Sequence, residues 1–173
     1  DLLLLSRLEN DENIAKNQII DMPNLMNQLF DDAQAYNVDY GHTLNLDIDS
    51  HCDLIGSDME IASAFSNLIT NAIKYTPKGG TVTMGWHDDS ESAYFVVEDT
   101  GIGIDPKHVP RLTERFYRVD SDRSRRTGGT GLGLAIVKHV LMQHQAQLKI
   151  DSRENQGSTF KVIFPKERLS FPD

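Results

Sequence analysis

At 173 residues and 39% hydrophobic composition, the chain suits one domain with a genuine core, burying about 70% of its unfolded surface without staples. A formal net charge of −9 argues against nucleic acid or an anionic membrane surface as the main partner. Cys52 is the only cysteine, so no internal disulfide forms and a reducing compartment fits. The six histidines show no metal-ligand grouping, since His139 and His144 stand five apart and do not share a helical face. No run of about 18 apolar residues exists, and residues 1–5 are too short and wrongly flanked for a span or a signal.

Residues 2–8 read as the last turns of a helix, as if the chain starts inside a larger protein. Ile19 and Ile20 suggest a short strand. Pro23 suits the first position of a helix to about Tyr36, with Leu25, Met26, Leu29 and Phe30 on one face. Leu44, Leu46 and Ile48 alternate as in a half-buried strand, and 53–56 is a brief second one. Ser57-Asp-Met-Glu60 is a capping box and starts a helix whose buried stripe is Ile61, Ala62, Phe65, Leu68, Ile69, Ala72 and Ile73. Ser63, Asn67, Asn71 and Lys74 fall on another face of it. Asparagine competes for backbone hydrogen bonds, so two of them mid-helix need a reason. Either both point to water, or they face a nucleotide, where an amide oxygen can hold Mg²⁺ and Lys74 can meet phosphate.

Residues 81–86 and 93–98 form an antiparallel hairpin by pattern, ending on Asp99-Thr-Gly-Ile-Gly-Ile104. A carboxylate at this strand end is either an ordinary turn residue or an acceptor for an adenine amino group. Residues 105–127 follow, polar and long for a structureless connection, with short helical turns possible over 106–116. Six of the nine arginines lie there: Arg111, Arg115, Arg118, Arg123, Arg125 and Arg126. Taken singly each is a solvated charge.

Thr127-Gly-Gly-Thr-Gly-Leu-Gly-Leu134 then packs four glycines into six residues and runs into a helix-like segment ending near His144. Backbone N–H groups at a helix start favour an anion, phosphate above all. A flexible surface loop is the plain alternative. Neither a Walker-type G-x-x-x-x-G-K-[ST] nor a G-x-G-x-x-G after a strand is present. Residues 147–152 and 157–164 close the chain as a pair of strands, with Phe160, Val162 and Phe164 alternating.

Four signals thus stand in one order: Asn67-Leu-Ile-Thr-Asn71-Ala-Ile-Lys74-Tyr75, Asp99-Thr-Gly101-Ile-Gly103, Glu114-Arg-Phe116-Tyr-Arg118 and Gly129-Thr-Gly131-Leu-Gly133-Leu. They resemble the N, first G, F and second G boxes of the catalytic and ATP-binding domain of sensor histidine kinases. Each box alone is weak; the ordered set is specific. The resemblance covers residues 17–166, with a lid at about 105–130. Residues 1–16 resemble the end of the second dimerisation-domain helix and its linker, and 167–173 remain as a C-terminal tail. Within the family, 110–120 together with 128–139 is similar to the bacterial phosphate-regulon sensors.

The resemblance implies an α/β fold, a two-layer sandwich of a mixed, mostly antiparallel sheet and three main helices, shared with gyrase and heat-shock chaperone ATPases. By resemblance, Asp99 binds the adenine amino group, Gly101 and Gly103 shape the pocket, and Tyr75 and Ile104 touch the ring. Asn71 holds Mg²⁺ with Asn67 beside it, Lys74 approaches the phosphates, and Arg118 meets the γ-phosphate. The backbone of Gly129, Thr130, Gly131, Leu132 and Gly133 cradles the phosphate chain, and Thr159 is a further adenine-side contact. The reaction implied is transfer of the γ-phosphoryl group of Mg-ATP to a histidine and then to an aspartate of a response-regulator receiver domain.

None of the six histidines lies in the acceptor motif, so the expectation is a monomeric fragment that binds nucleotide without phosphorylating itself. The acceptor belongs to the dimerisation domain of a homodimeric protein, anchored in the bacterial inner membrane with this domain cytoplasmic and off the membrane. Two rivals stand beside the kinase. One is an ATPase of the same fold, disfavoured because Asn67 replaces the glutamate that activates water there. The other is a non-catalytic nucleotide-binding module.

Overall fold

Strands with one apolar face and helices with one apolar stripe bury them against each other, and this chain does so in two layers. The computed structural model describes residues 2–3, 5–6, 18–115, 117 and 133–172. Its strands are β1 (Gln18–Ile20), β2 (Thr43–Ile48), β3 (Asp53–Gly56), β4 (Thr81–Asp88), β5 (Ser92–Asp99), β6 (Gln147–Arg153), β7 (Gly157–Pro165) and β8 (Leu169–Ser170). Five of them form one sheet in the order β2-β4-β5-β7-β6. The β2–β4 pair is parallel and the other three are antiparallel, the mixed and mostly antiparallel sheet expected.

The three main helices are α1 (Met22–Tyr36), α2 (Asp58–Tyr75) and α3 (Gly133–Gln143). Asp21 caps α1 by accepting from the Asn24 N–H, Pro23 stands in its first turn, and Leu25, Met26 and Leu29 are buried as the pattern required. Ser57 caps α2 through the Glu60 N–H. Val82, Met84, Trp86, Phe95, Val97, Val162 and Phe164 supply the sheet's side of the core and are wholly buried. Phe65 of α2 stacks on Phe95 with ring centroids 3.9 Å apart, and Phe164 meets Phe65 edge-on. The Trp86 Nε1–H, which must find an acceptor when buried, donates to the Cys52 carbonyl at 2.9 Å. Burial, aided by the Asp88 and Asp53 carboxylates, pushes the Cys52 thiol up to about 11, so it stays protonated and unreactive.

Helix α3 is held antiparallel to α2 by a histidine that looked ordinary in the sequence. His144 is completely buried. Its Nδ1–H donates to the Val140 carbonyl at 2.7 Å, and Nε2 accepts from the Ser57 N–H at 3.1 Å, which fixes the neutral Nδ1–H tautomer. The C-terminal end of α3 is thereby joined to the start of α2, and the glycine-marked start of α3 faces further along α2.

Two features depart from the sequence reading. The strand β3 does not enter the large sheet but is the centre of a second one, in the order β1-β3-β8. The segment read as a tail holds a 3-10 turn at Lys166–Arg168 and the strand β8, whose Leu169 lies opposite Leu54. Ile20 of β1 faces the same Leu54 from the other side. Among the described residues, no helix is long and apolar enough to cross a membrane.

Candidate nucleotide-binding site

The alternation of β5 turns Ala93, Phe95, Val97 and finally Asp99 toward the helices, so an apolar row ends in a carboxylate. Asp99 is only 8% exposed, and one of its oxygens accepts from the Gly101 N–H at 2.8 Å. Burial holds its carboxyl above the ordinary range; the Gly101 and Ser158 amides pull the other way, and Glu98 adds a smaller upward push. A buried carboxylate with hydrogen-bonding capacity to spare is an acceptor waiting for a donor.

The turn that follows folds back onto α2. The Ile102 N–H donates to the Tyr75 carbonyl at 3.4 Å, and the Thr76 hydroxyl donates to the Ala72 carbonyl at 2.7 Å, closing the helix end. At Gly101 a side chain would bring a Cβ within 2.7 Å of both the Asp99 carboxylate and the Tyr75 carbonyl, so only glycine allows this approach. Gly103 has a φ of +67°, and a Cβ there would sit 1.8 Å from the Arg153 carbonyl oxygen. Ile104 is half-buried against the core, with its N–H donating to the Ser152 hydroxyl at 2.7 Å. The structure thus brings Tyr75, Asp99, Gly101, Gly103 and Ile104 together at one end of α2.

Asn67, Asn71, Lys74 and Tyr75 are all half-buried along one side of α2, a face about 12 Å long at 1.5 Å per residue. The Asn67 Nδ2 donates to the Ser63 carbonyl at 2.9 Å. Its Oδ1 faces the start of α3, 3.0 Å from where a Cβ on Gly133 would be. The N-terminal, positive end of the α3 dipole lies there. Among the described residues the Asn71 amide makes no hydrogen bond and Lys74 no ion pair. The candidate site therefore has two ends, a carboxylate with its glycines at Asp99 and an amide facing a helix start at Asn67. Arg118, Gly129, Thr130, Gly131 and Leu132 lie outside the described residues. No cluster of three metal-ligating His, Cys, Asp or Glu side chains exists among the described residues; the side-chain oxygens that Asn67 and Asn71 offer are amide oxygens, a donor type hard cations take.

Thr159 pairs with Glu98 and Asp151 on the outer face of the sheet, and with Asp99 and Ser158 these residues line a polar cleft of about 250 Å³. Its neighbour Ser158 is the residue opposite Asp99, 7% exposed and on Asp99's face. The signal was present in the sequence. Ser158 shares the parity of the inward-facing Phe160, Val162 and Phe164, and Thr159 does not.

Residues 56–168 match the model of the family described as "Histidine kinase-, DNA gyrase B-, and HSP90-like ATPase". The chain belongs to this family. Within it, the chain is 51% identical over 170 residues to the phosphate regulon sensor protein PhoR of Pseudomonas aeruginosa, covering 98% of this chain and 38% of that protein. It is 45% identical to the PhoR of Haemophilus influenzae over 84% of this chain and 34% of that one. The chain spans little more than a third of the length of these relatives. The solved mycobacterial sensor histidine kinase MprB superposes with a TM-score of 0.74 at 27% identity, over 86% of this chain and 97% of that one. Full-length ShkA, solved in complex with AMPPNP, shares the fold with a TM-score of 0.84 at 22% identity, over 99% of this chain and 35% of that one. The sensor-kinase resemblance, the phosphate-regulon likeness and the α/β sandwich are all borne out.

Proposed function

We propose that this chain is the Mg-ATP-binding catalytic domain of a two-component sensor histidine kinase, and that Asp99 is its base-reading group. The observation that carries this reading is the buried Asp99 carboxylate at the end of an apolar row, walled by Gly101 and Tyr75. Ionised, it accepts and cannot donate, which suits an exocyclic amino group and disfavours a carbonyl in the same place. Tyr75 and Ile104 flank the ring, while Gly101 and Gly103 let the backbone come close.

At the other end, Asn71 and Asn67 offer amide oxygens, the donor type that a hard cation takes. Asn71, with Asn67 beside it, would hold magnesium at this end, where the ion would supply charge neutralisation for phosphoryl transfer. Lys74 and the start of α3 at Gly133 add positive potential to the same end, and Arg118 with the backbone of 129–132 completes the phosphate cradle. Little covalent chemistry is asked of such a site; it positions and stabilises. The Asn67 amide is committed to the Ser63 carbonyl and cannot remove a proton from water. That favours phosphoryl transfer over hydrolysis.

The acceptor is a histidine on a dimerisation domain of the same protein, and the phosphoryl group passes on to a receiver-domain aspartate. The protein is a homodimer anchored in the bacterial inner membrane, and this chain alone is a monomer. Mg-ADP calorimetry on the chain tests the reading. Binding that Asp99→Asn abolishes, and from which Asn71→Ala removes mainly the Mg²⁺-dependent part, is expected. Absence of binding at every Mg²⁺ concentration reduces the chain to a non-catalytic module. Acid-labile phosphate on the chain alone contradicts the placement of the acceptor elsewhere.

A further inference from the structure

The turn bearing Gly101, Gly103 and Ile104 docks against the β6–β7 hairpin almost entirely through backbone. The Asn155 N–H donates to the Ile102 carbonyl at 2.5 Å, and Gly103 lies against the Arg153 carbonyl. One side chain enters this contact at its centre. Ser152 of β6, on the helix-facing side of its strand, accepts from the Ile104 N–H at 2.7 Å. The same hydroxyl lies 2.6 Å from the Ser158 hydroxyl and 3.3 Å from the Gly157 carbonyl. Ser158 in turn sits opposite Asp99 across the β5–β7 ladder.

A hydroxyl carries one proton and two lone pairs, which leaves two arrangements. When Ser152 donates to Ser158, the Ser158 proton is free to meet an acceptor beside Asp99. When Ser158 donates to Ser152, Ser152 donates to the Gly157 carbonyl, and Ser158 offers only lone pairs. In both, Ser152 fixes where the Ser158 oxygen stands and pins Ile104, one residue before Asp105 caps the 3-10 turn Pro106–Arg111.

We propose that Ser152 is a positioning residue for base recognition, its hydroxyl coupling Ser158 beside Asp99 to the backbone of Ile104. The proposal rests on the nucleotide-binding reading given above. It places specificity in a side chain that does not itself touch the base. Ser152→Ala leaves the Ile104 N–H without its partner and lets the Ser158 hydroxyl rotate. Adenine, whose edge offers a donor and an acceptor side by side, loses a fixed counterpart. Hypoxanthine, with a carbonyl facing Asp99, never had one.

The test is calorimetry of the whole chain with Mg-ADP and Mg-IDP, alongside thermal midpoints. In the parent, ADP binds more tightly than IDP. Ser152→Ala is expected to lower that ratio by about five- to tenfold, mostly by weakening ADP. Ser158→Ala produces the same loss, and the double variant loses little more, because the two hydroxyls act as a unit. Ser152→Thr keeps the parent's ratio. Equal weakening of ADP and IDP, an unchanged ratio in Ser152→Ala, or additive losses in the double variant each overturn the proposal. Should Ser152→Ala fail to fold, the contrast between Ser152→Thr and Ser158→Ala decides in its place. A parent that binds neither nucleotide overturns the nucleotide reading itself, whereas a parent that binds ADP with an unmoved Ser152→Ala ratio overturns only the role of Ser152.

Discussion

The two ends of the site are built in opposite ways. Around Asp99, the polar groups already have partners: Gly101 and Ser158 hold the carboxylate, Ile102 is bonded to Tyr75, and Ile104 to Ser152. Among the described residues, the Asn71 amide and Lys74 ammonium have no such partner, and both side chains are half-exposed. The first end is preorganised and pays its conformational entropy on folding. On the proposed reading, recognition of the base would belong to the fold, and bound phosphate and cation would order the second end.

The largest expected effect breaks the ordered end. Asp99→Asn replaces a pure acceptor by an amide and should weaken Mg-ADP by on the order of a hundredfold in calorimetry, as loss of a hydrogen bond to a buried charge predicts. Gly103→Ala strikes the same end through the backbone, where a Cβ meets the Arg153 carbonyl at positive φ. It should cost ~2 kcal/mol or more in urea unfolding. Asn71→Ala probes the unordered end and sharpens the contrast. Its unfolding free energy should stay within about 0.5 kcal/mol of the parent, while the gain in ADP affinity on adding Mg²⁺ falls by about tenfold.

The smallest effect concerns pH. Because the folded-state pKa of Asp99 is raised, the stability tied to its protonated form is full at acid pH and is lost as the pH rises through that value. Asp99→Asn removes the buried charge. Its thermal midpoint without nucleotide should therefore exceed the parent's at pH 7, and the gap should close as the pH falls into the carboxylate range. A gap that widens toward acid would show that the Gly101 and Ser158 hydrogen bonds outweigh burial.

What the sequence made legible follows from period and spacing. Alternation in β5 placed Asp99 on the helix side, and the helical spacing of Asn67, Asn71 and Lys74 put them on one face. Alternation also placed Ser158, not Thr159, on the face that Asp99 shares. The small sheet was not legible, because β1 and β8 are three and two residues long and pair with β3 across the whole chain. Segments that short carry no period. His144 was missed for a related reason: its hydrogen-bond partners Val140 and Ser57 are four and 87 residues away, and of these only the nearer is implied by a helix.

The small sheet has one more consequence. β1 and β8 flank the same strand, with Ile20 and Leu169 two strand spacings apart, about 10 Å. Both pair antiparallel with β3 and so run parallel to each other, and a link from the end of β8 to the start of β1 has to cross over β3, which takes about a dozen residues. The polypeptide could be rejoined there and reopened in the exposed Asp89–Glu91 turn of the β4–β5 hairpin without disturbing a single strand pair. The order in which the chain visits its elements is thus separable from the shape they make, and a circularly permuted version should fold to the same sandwich.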